Sequence, residues 1–144
     1  GGAISAYIGS TSFVENSFFE NNRCDSKGGT FALFDNGALN VVNSSISNSY
    51  AEEGGALFAT DFSSQEFSNC SFSHNLASNG AVAFISSKVV ITVVSSLFQD
   101  NTARDNAGGI YFTGGTVDFY NSTFLRNNAH LGNGGSLFIS NILL

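Results

Sequence analysis

The sequence contains no proline, methionine or tryptophan. Proline has no backbone N–H to give a ladder, so its absence suits a chain whose residues nearly all sit in or beside one. Charged residues make up only 11%, well under the roughly 25% usual for soluble domains. The polar surface is therefore built from Ser, Asn and Thr, a look common among secreted and cell-surface β proteins and uncommon in cytosolic enzymes. Five Lys and Arg against eleven Asp and Glu give a net charge of −6. The basic residues are scattered, so no stripe exists to neutralise phosphates, and nucleic acid is excluded as a partner. No apolar run approaches the roughly 18 residues of a membrane-spanning helix. The chain opens on Gly1-Gly2 without Met or a signal sequence, the look of a processed or excised segment.

What is present is a repeat. A Gly-Gly pair or close variant stands at Gly1-Gly2, Gly28-Gly29, Gly54-Gly55, Gly80-Ala81, Gly108-Gly109 and Gly134-Gly135, at spacings of 27, 26, 26, 28 and 26 residues. A second landmark follows each pair: Asn16-Ser17, Asn43-Ser44, Asn69-Cys70, Ser95-Ser96 and Asn121-Ser122. Three residues past its first member come Phe19, Ile46, Phe72, Phe98 and Phe124. Three further on come Asn22, Ser49, Asn75, Asn101 and Asn127. Small residues recur as well, at Ser17, Ser44, Cys70, Ser96 and Ser122, and again at Cys24, Ala51, Ala77, Ala103 and Ala129.

Within each unit apolar residues alternate with period two, in short runs bounded by Gly, Asn and Ser. That is the pattern of strands. Columns that keep size and polarity from unit to unit are expected where equivalent residues stack at the inter-strand spacing of ~4.8 Å. The expected fold is an all-β, right-handed, single-stranded parallel β-helix, with about 26 residues per turn and five to six turns. Three short strands and three turns account for each unit. The column of Phe19, Ile46, Phe72, Phe98 and Phe124 fills the interior. The column of Asn16, Asn43, Asn69 and Asn121 forms a corner ladder, because Asn tolerates left-handed backbone. Leucine-rich repeats need a Leu lattice that is missing, propeller blades need about 40 residues, and calcium-binding β-rolls need G-G-x-G-x-D. Residues 1–144 then form one β-helix segment, expected to belong to a longer array, since Ala3 and Ile4 at one end and Ile142-Leu143-Leu144 at the other form no polar cap.

The pairing of GGA[I/L/V] with FxxN resembles the repeats of the chlamydial polymorphic outer-membrane proteins. Gly1–Ile4 and Gly54–Leu57 carry the first motif, with looser copies at Gly108–Tyr111 and Gly134–Leu137. Phe19–Asn22, Phe72–Asn75, Phe98–Asn101 and Phe124–Asn127 carry the second. The resemblance covers the whole chain. It implies the surface-exposed passenger of an autotransporter that acts as an adhesin. The chain departs from the pattern at Ile46 and Ser49, and no membrane barrel is present in it.

No residue pattern points to catalysis, a cofactor or a metal. Glu66 and Asp118 share a column two turns apart, roughly 10 Å, near the separation of an inverting glycosidase pair. A solvated outer stripe explains them as well, and no basic residue shares the column. His74 and His130 are neither paired nor near a cysteine. Cys24 and Cys70 lie in different columns two turns apart, beyond the roughly 7 Å that a disulfide allows, and read as small interior residues. Asn43, Asn69 and Asn121 begin N-x-[S/T] acceptor patterns, but a corner ladder accounts for Asn16 and Ser95 in the same column too.

Two surfaces stand out for binding. The segments before each Gly-Gly read as loops and hold much of the charge: Arg23, Asp25, Lys27, Glu52, Glu53, Arg104, Asp105 and His130. The strand after Gly-Gly has apolar residues at consecutive positions, so one column faces outward. Ile4, Phe31, Leu57, Tyr111 and Leu137 are the expected contact stripe. Two functions follow: an extracellular or cell-surface adhesin-like passenger meeting a protein or glycan, or a structural subunit of a fibre or sheath meeting copies of itself.

Overall fold

The computed structural model describes residues 1–140, and Ile142-Leu143-Leu144 lies outside them. The described chain is a parallel β-helix without a helix, in which every strand pairs with the equivalent strand one turn away. One central turn shows the layout: Leu57–Ala59 lies in sheet A, Ser64–Ser68 in sheet B, Ser71–Ser73 in sheet C and Leu76–Asn79 in sheet D. The sheets hold six, five, five and four strands.

The fourth sheet corrects the expectation of three strands per turn. Two of the segments read as loops are strands, Tyr50–Glu53 and Thr102–Asn106, whereas the one holding Arg23 and Lys27 makes only isolated bridges to the next turn. The reason is alternation: Ala51, Ala77 and Ala103 point inward and are buried, while Tyr50, Leu76 and Thr102 stand outside in register. Small interior residues let this sheet lie close to the others.

The core is a set of stacked columns. Phe19, Ile46, Phe72, Phe98 and Phe124 pair turn by turn in sheet C, and the middle three are buried. Phe72 and Phe98 stack at 4.9 Å, and Phe98 and Phe124 at 4.5 Å. Parallel in-register pairing forces like onto like, so the rings lie face to face at the strand spacing.

The contact stripe is a second correction. Phe31 and Leu57 are buried in the core, and Ile4 packs against it in the same inward column; Leu137, in the last described turn, is partly exposed. The outward column is Ser5, Ala32, Phe58, Phe84, Tyr111 and Phe138. Tyr111 alone of the expected five belongs to it, because the register changes by one residue just before. Ala77 pairs with Ala103 but Asn79 pairs with Asn106, so the strand carrying Arg104 and Asp105 has one extra residue. That bulge makes Ala107, not Gly108, the counterpart of Gly28, Gly54 and Gly80. All four have left-handed backbone, with φ of 58° at Ala107 and 68° at Gly54. Gly54 needs to be glycine for space too, since a Cβ there would drive into the Leu57 carbonyl oxygen.

Polar ladders hold the corners. Asn16, Asn43, Asn69 and Asn121 have φ between 49° and 53° and are exposed. Asn69 Nδ2 donates to Asn43 Oδ1 at 3.3 Å, and Asn121 Nδ2 to Ser95 Oγ at 3.4 Å. The buried ladder is the other one, at Asn75, Asn101 and Asn127. Asn75 and Asn101 have no exposure. Each amide donates inward to a carbonyl, Asn75 to Ile46 and Asn101 to Phe72, and each donates to the Asn of the next turn. The residue before each takes the left-handed turn: His74, Asp100 and Arg126. Serines at the preceding corner do related work, as Ser96 N donates to Ser122 Oγ and Cys70 N to Ser96 Oγ. Cys24 and Cys70 are both free.

Candidate binding faces

Sheet D and the segment leading into it carry a cluster of charged side chains: Arg23, Asp25, Glu52, Arg104 and Asp105. The outer face here carries Arg23, Tyr50, Leu76, Thr102 and Asn128 in one column. Glu52 and Arg104 stand beside them, both exposed. The Arg23 guanidinium lies 4.7 Å over the Tyr50 ring and pairs with Asp25 at 3.2 Å. Arg104 pairs with Asp105 at 3.0 Å. Hydrogen bonding to Asp105 holds the Arg104 guanidinium even more firmly in its charged form, with the Glu52 charge adding to the effect. Asn128 Nδ2 contacts His130 Nδ1 at 3.3 Å.

Lys27 and Glu53 belong to the next corner rather than to this face. Their bridge is 3.7 Å long, and the Lys27 ammonium sits 4.5 Å over the Phe58 ring. So the expected set divides between sheet D and the sheet A corner. Tyr50 and Leu76 join the face although they were not expected there. Their signal was the alternation around Ala51 and Ala77, masked by reading these segments as loops.

On sheet A an aromatic stack climbs the outside. Tyr7–Phe34, Phe34–Phe58, Phe58–Phe84, Phe84–Tyr111 and Tyr111–Phe138 have centroids 4.9, 5.5, 5.7, 4.9 and 5.1 Å apart. Phe58 is only 2% exposed despite facing outward, because its neighbours and Lys27 cover it.

Sheet B carries a groove of about 310 Å³ on its outer face, reaching from Thr11 across Asn40 and Glu66 to Thr92. It exists because Ala38 and Ser64 are small where the next turn has Val90. Asn40 Oδ1 is buried beside it with no hydrogen-bond partner. Glu66 and Asp118 share the outward column through Thr92 and are both exposed. Among the described residues, no three His, Cys, Asp or Glu side chains converge to hold a metal ion.

The family described as "Right handed beta helix region" matches residues 1–124. The chain belongs to the right-handed β-helix family. The match ends at Phe124, within the sheet C strand Thr123–Leu125, and the coil is right-handed. No curated protein and no solved structure matches the chain. Among the described residues no helix is long and apolar enough to cross a membrane.

Proposed function

We propose that this β-helix is a non-catalytic, adhesin-like binding segment displayed outside the cell or at its surface, and that the outer face of sheet D contacts a partner protein. The observation that carries this is the composition of that face. Arg23, Tyr50, Leu76 and Arg104 lie on one outer face on successive turns, and Leu76 is 48% exposed. Tyr and Arg are, with Trp, the residues enriched at binding hot spots, and a sheet presents them on a backbone that is already ordered. The Ser- and Asn-rich surface favours an extracellular setting. The GGA[I/L/V] and FxxN motifs, which resemble those of the chlamydial polymorphic outer-membrane proteins, favour a passenger role.

The test is adhesion. Beads coated with the chain are measured for attachment to a panel of cultured cells, beside Tyr50→Ser, Leu76→Ser and Arg104→Glu variants of unchanged circular dichroism. The expected result is attachment that each substitution weakens by about tenfold or more. Attachment that is absent, or indifferent to all three, overturns the proposal.

A second reading, a fibre or sheath subunit, is favoured by the outward aromatic stack, where Phe84, Tyr111 and Phe138 remain half-buried rather than covered. Sedimentation that shows concentration-dependent association, abolished by Phe84→Ser with Tyr111→Ser, would support it over adhesion.

A further inference from the structure

We propose that Asn43, Asn69 and Asn121 are attachment sites for N-linked glycans, which line the corner between sheets B and C. The inference rests on the extracellular setting proposed above and on nothing about sheet D. Each Asn opens an N-x-[S/T] acceptor pattern, completed by Ser45, Ser71 and Thr123. Each also takes the left-handed corner, with φ of 49°, 53° and 50°, and is exposed. The residue that follows carries no bulk outward, and Ser44 and Cys70 are buried. The hydroxyl residue then opens a sheet C strand and faces out, because Ile46, Phe72 and Phe124 beside it face the core.

Packing and backbone do not account for these hydroxyls. Phe18 and Leu97 fill the same outer column in the other turns, so the position asks for no polar group. A left-handed corner is met by glycine at least as well as by Asn. The corner ladder is thin: Asn69 Nδ2 donates to Asn43 Oδ1 at 3.3 Å, and Asn121 Nδ2 to Ser95 Oγ at 3.4 Å. Where Ser95 replaces the corner Asn, the hydroxyl two residues on is gone too, with Leu97 in its place. Asn and hydroxyl together are what an oligosaccharide transferase reads.

In that transfer Asn Nδ2 displaces a lipid diphosphate from C1 of a lipid-linked oligosaccharide. The C1–O bond to phosphate breaks and its electron pair leaves with the diphosphate. The Nδ2–C1 bond forms, and one Nδ2 proton goes to a base of the transferase. Transfer happens during export, before the turn closes, so the folded corner has only to hold the product. A substituted Nδ2 keeps one proton, enough for the single ladder bond that Asn69 and Asn121 each donate. The sheets follow in the order A, B, C, D around each turn, so glycans on this corner border neither sheet A nor sheet D.

The experiment expresses the 144-residue chain in cultured insect cells behind a cleavable export leader. Peptide N-glycosidase in heavy-oxygen water then leaves a labelled Asp wherever a glycan was attached, and peptide mass spectrometry locates it. The expected result is label at Asn43, Asn69 and Asn121 and none at Asn16, which shares the corner without the pattern. Ser45→Ala, Ser71→Ala and Thr123→Ala should each erase the label at the Asn two residues before and leave the other two. The three changes together give an unglycosylated chain, whose circular dichroism the glycosylated chain should match. Label is read on secreted and cell-retained chain alike, so poor export does not blunt the test. Any of the three never labelled, label that survives loss of its hydroxyl, or a glycosylated chain without the β spectrum overturns the proposal. Bead attachment is a separate measurement, so this inference and the sheet D reading fail separately.

Discussion

Asn75 gives Asn101 two hydrogen bonds at once: its backbone N–H and its side-chain Nδ2 both reach Asn101 Oδ1, at 2.9 and 3.0 Å. Asn101 repeats the pattern on Asn127, at 3.1 and 2.9 Å. Asn101→Ala would leave the Asn75 backbone N–H and one Nδ2 proton without an acceptor in a water-free corner, and would strip the Phe72 carbonyl of its second donor. A loss of roughly 3–5 kcal/mol is expected, at 1–3 kcal/mol per unsatisfied buried group. Asn69→Gly, at an exposed left-handed corner, should change stability by less than about 0.5 kcal/mol. Urea midpoints of both variants check the contrast.

Phe72 is 1% exposed between Ile46 and Phe98, whereas Phe18, its neighbour in sequence pattern but on the outer face, is 88% exposed. Phe72→Ala should cost about 3–5 kcal/mol, from lost transfer energy and the cavity left in the stack. Phe18→Ala should stay within about 0.5 kcal/mol. Equal urea midpoints for the two would show that the column is not inside.

Gln65 occupies an interior column between Leu39 and Ile91, and both its amide atoms are buried without partners, as is Ser63 Oγ two residues earlier. A buried amide without hydrogen bonds costs about 1–3 kcal/mol. Gln65→Leu should therefore raise stability by about that amount. A melting temperature that stays level or falls would mean that the amide has partners after all.

Asp100 receives two hydrogen bonds from Arg126, at 2.7 and 2.8 Å, and one from Gln99 at 2.8 Å. The Arg126 bonds, with Gln99 next, hold its carboxyl well below the ordinary 3.8, at about 2. A depressed folded-state value means the unfolded chain binds more protons across that window. The pair's contribution is therefore present above about pH 4 and lost as pH falls toward about pH 2. Acid titration of Arg126→Gln should show a flatter loss of stability through this window than the parent chain. Matching curves would show that the exposed pair contributes nothing, as many do.

The coil itself was legible in the sequence because a parallel solenoid stacks each residue on its own equivalent. The Gly-Gly period and the column of Phe19, Ile46, Phe72, Phe98 and Phe124 follow directly from that rule. A two-residue alternation, however, does not say which of two apolar columns faces in. Phe31 and Leu57 went inside and Phe58 outside because the turn at Gly28 and Gly54 sets the pleat, and only the folded register shows it. Tyr111 changed columns because one extra residue near Arg104 bulges out, shifting Ala107 into the left-handed site that glycine holds elsewhere. Sheet D was hidden for a similar reason. Its inner column is alanine, too small to announce a strand, and its outer residues are charged enough to read as loop.

By itself the sequence determined the period, the parallel stacking, the interior aromatic column and the recurrence of the two Asn columns, since each depends on local spacing repeated every turn. Only the tertiary structure decided which faces are free. Facing residues from different sheets had to compete for one narrow interior. That packing buried Asn75 and Asn101, left Asn43 and Asn69 in water, and opened the sheet B groove where Ala38 and Ser64 fail to fill the outer face.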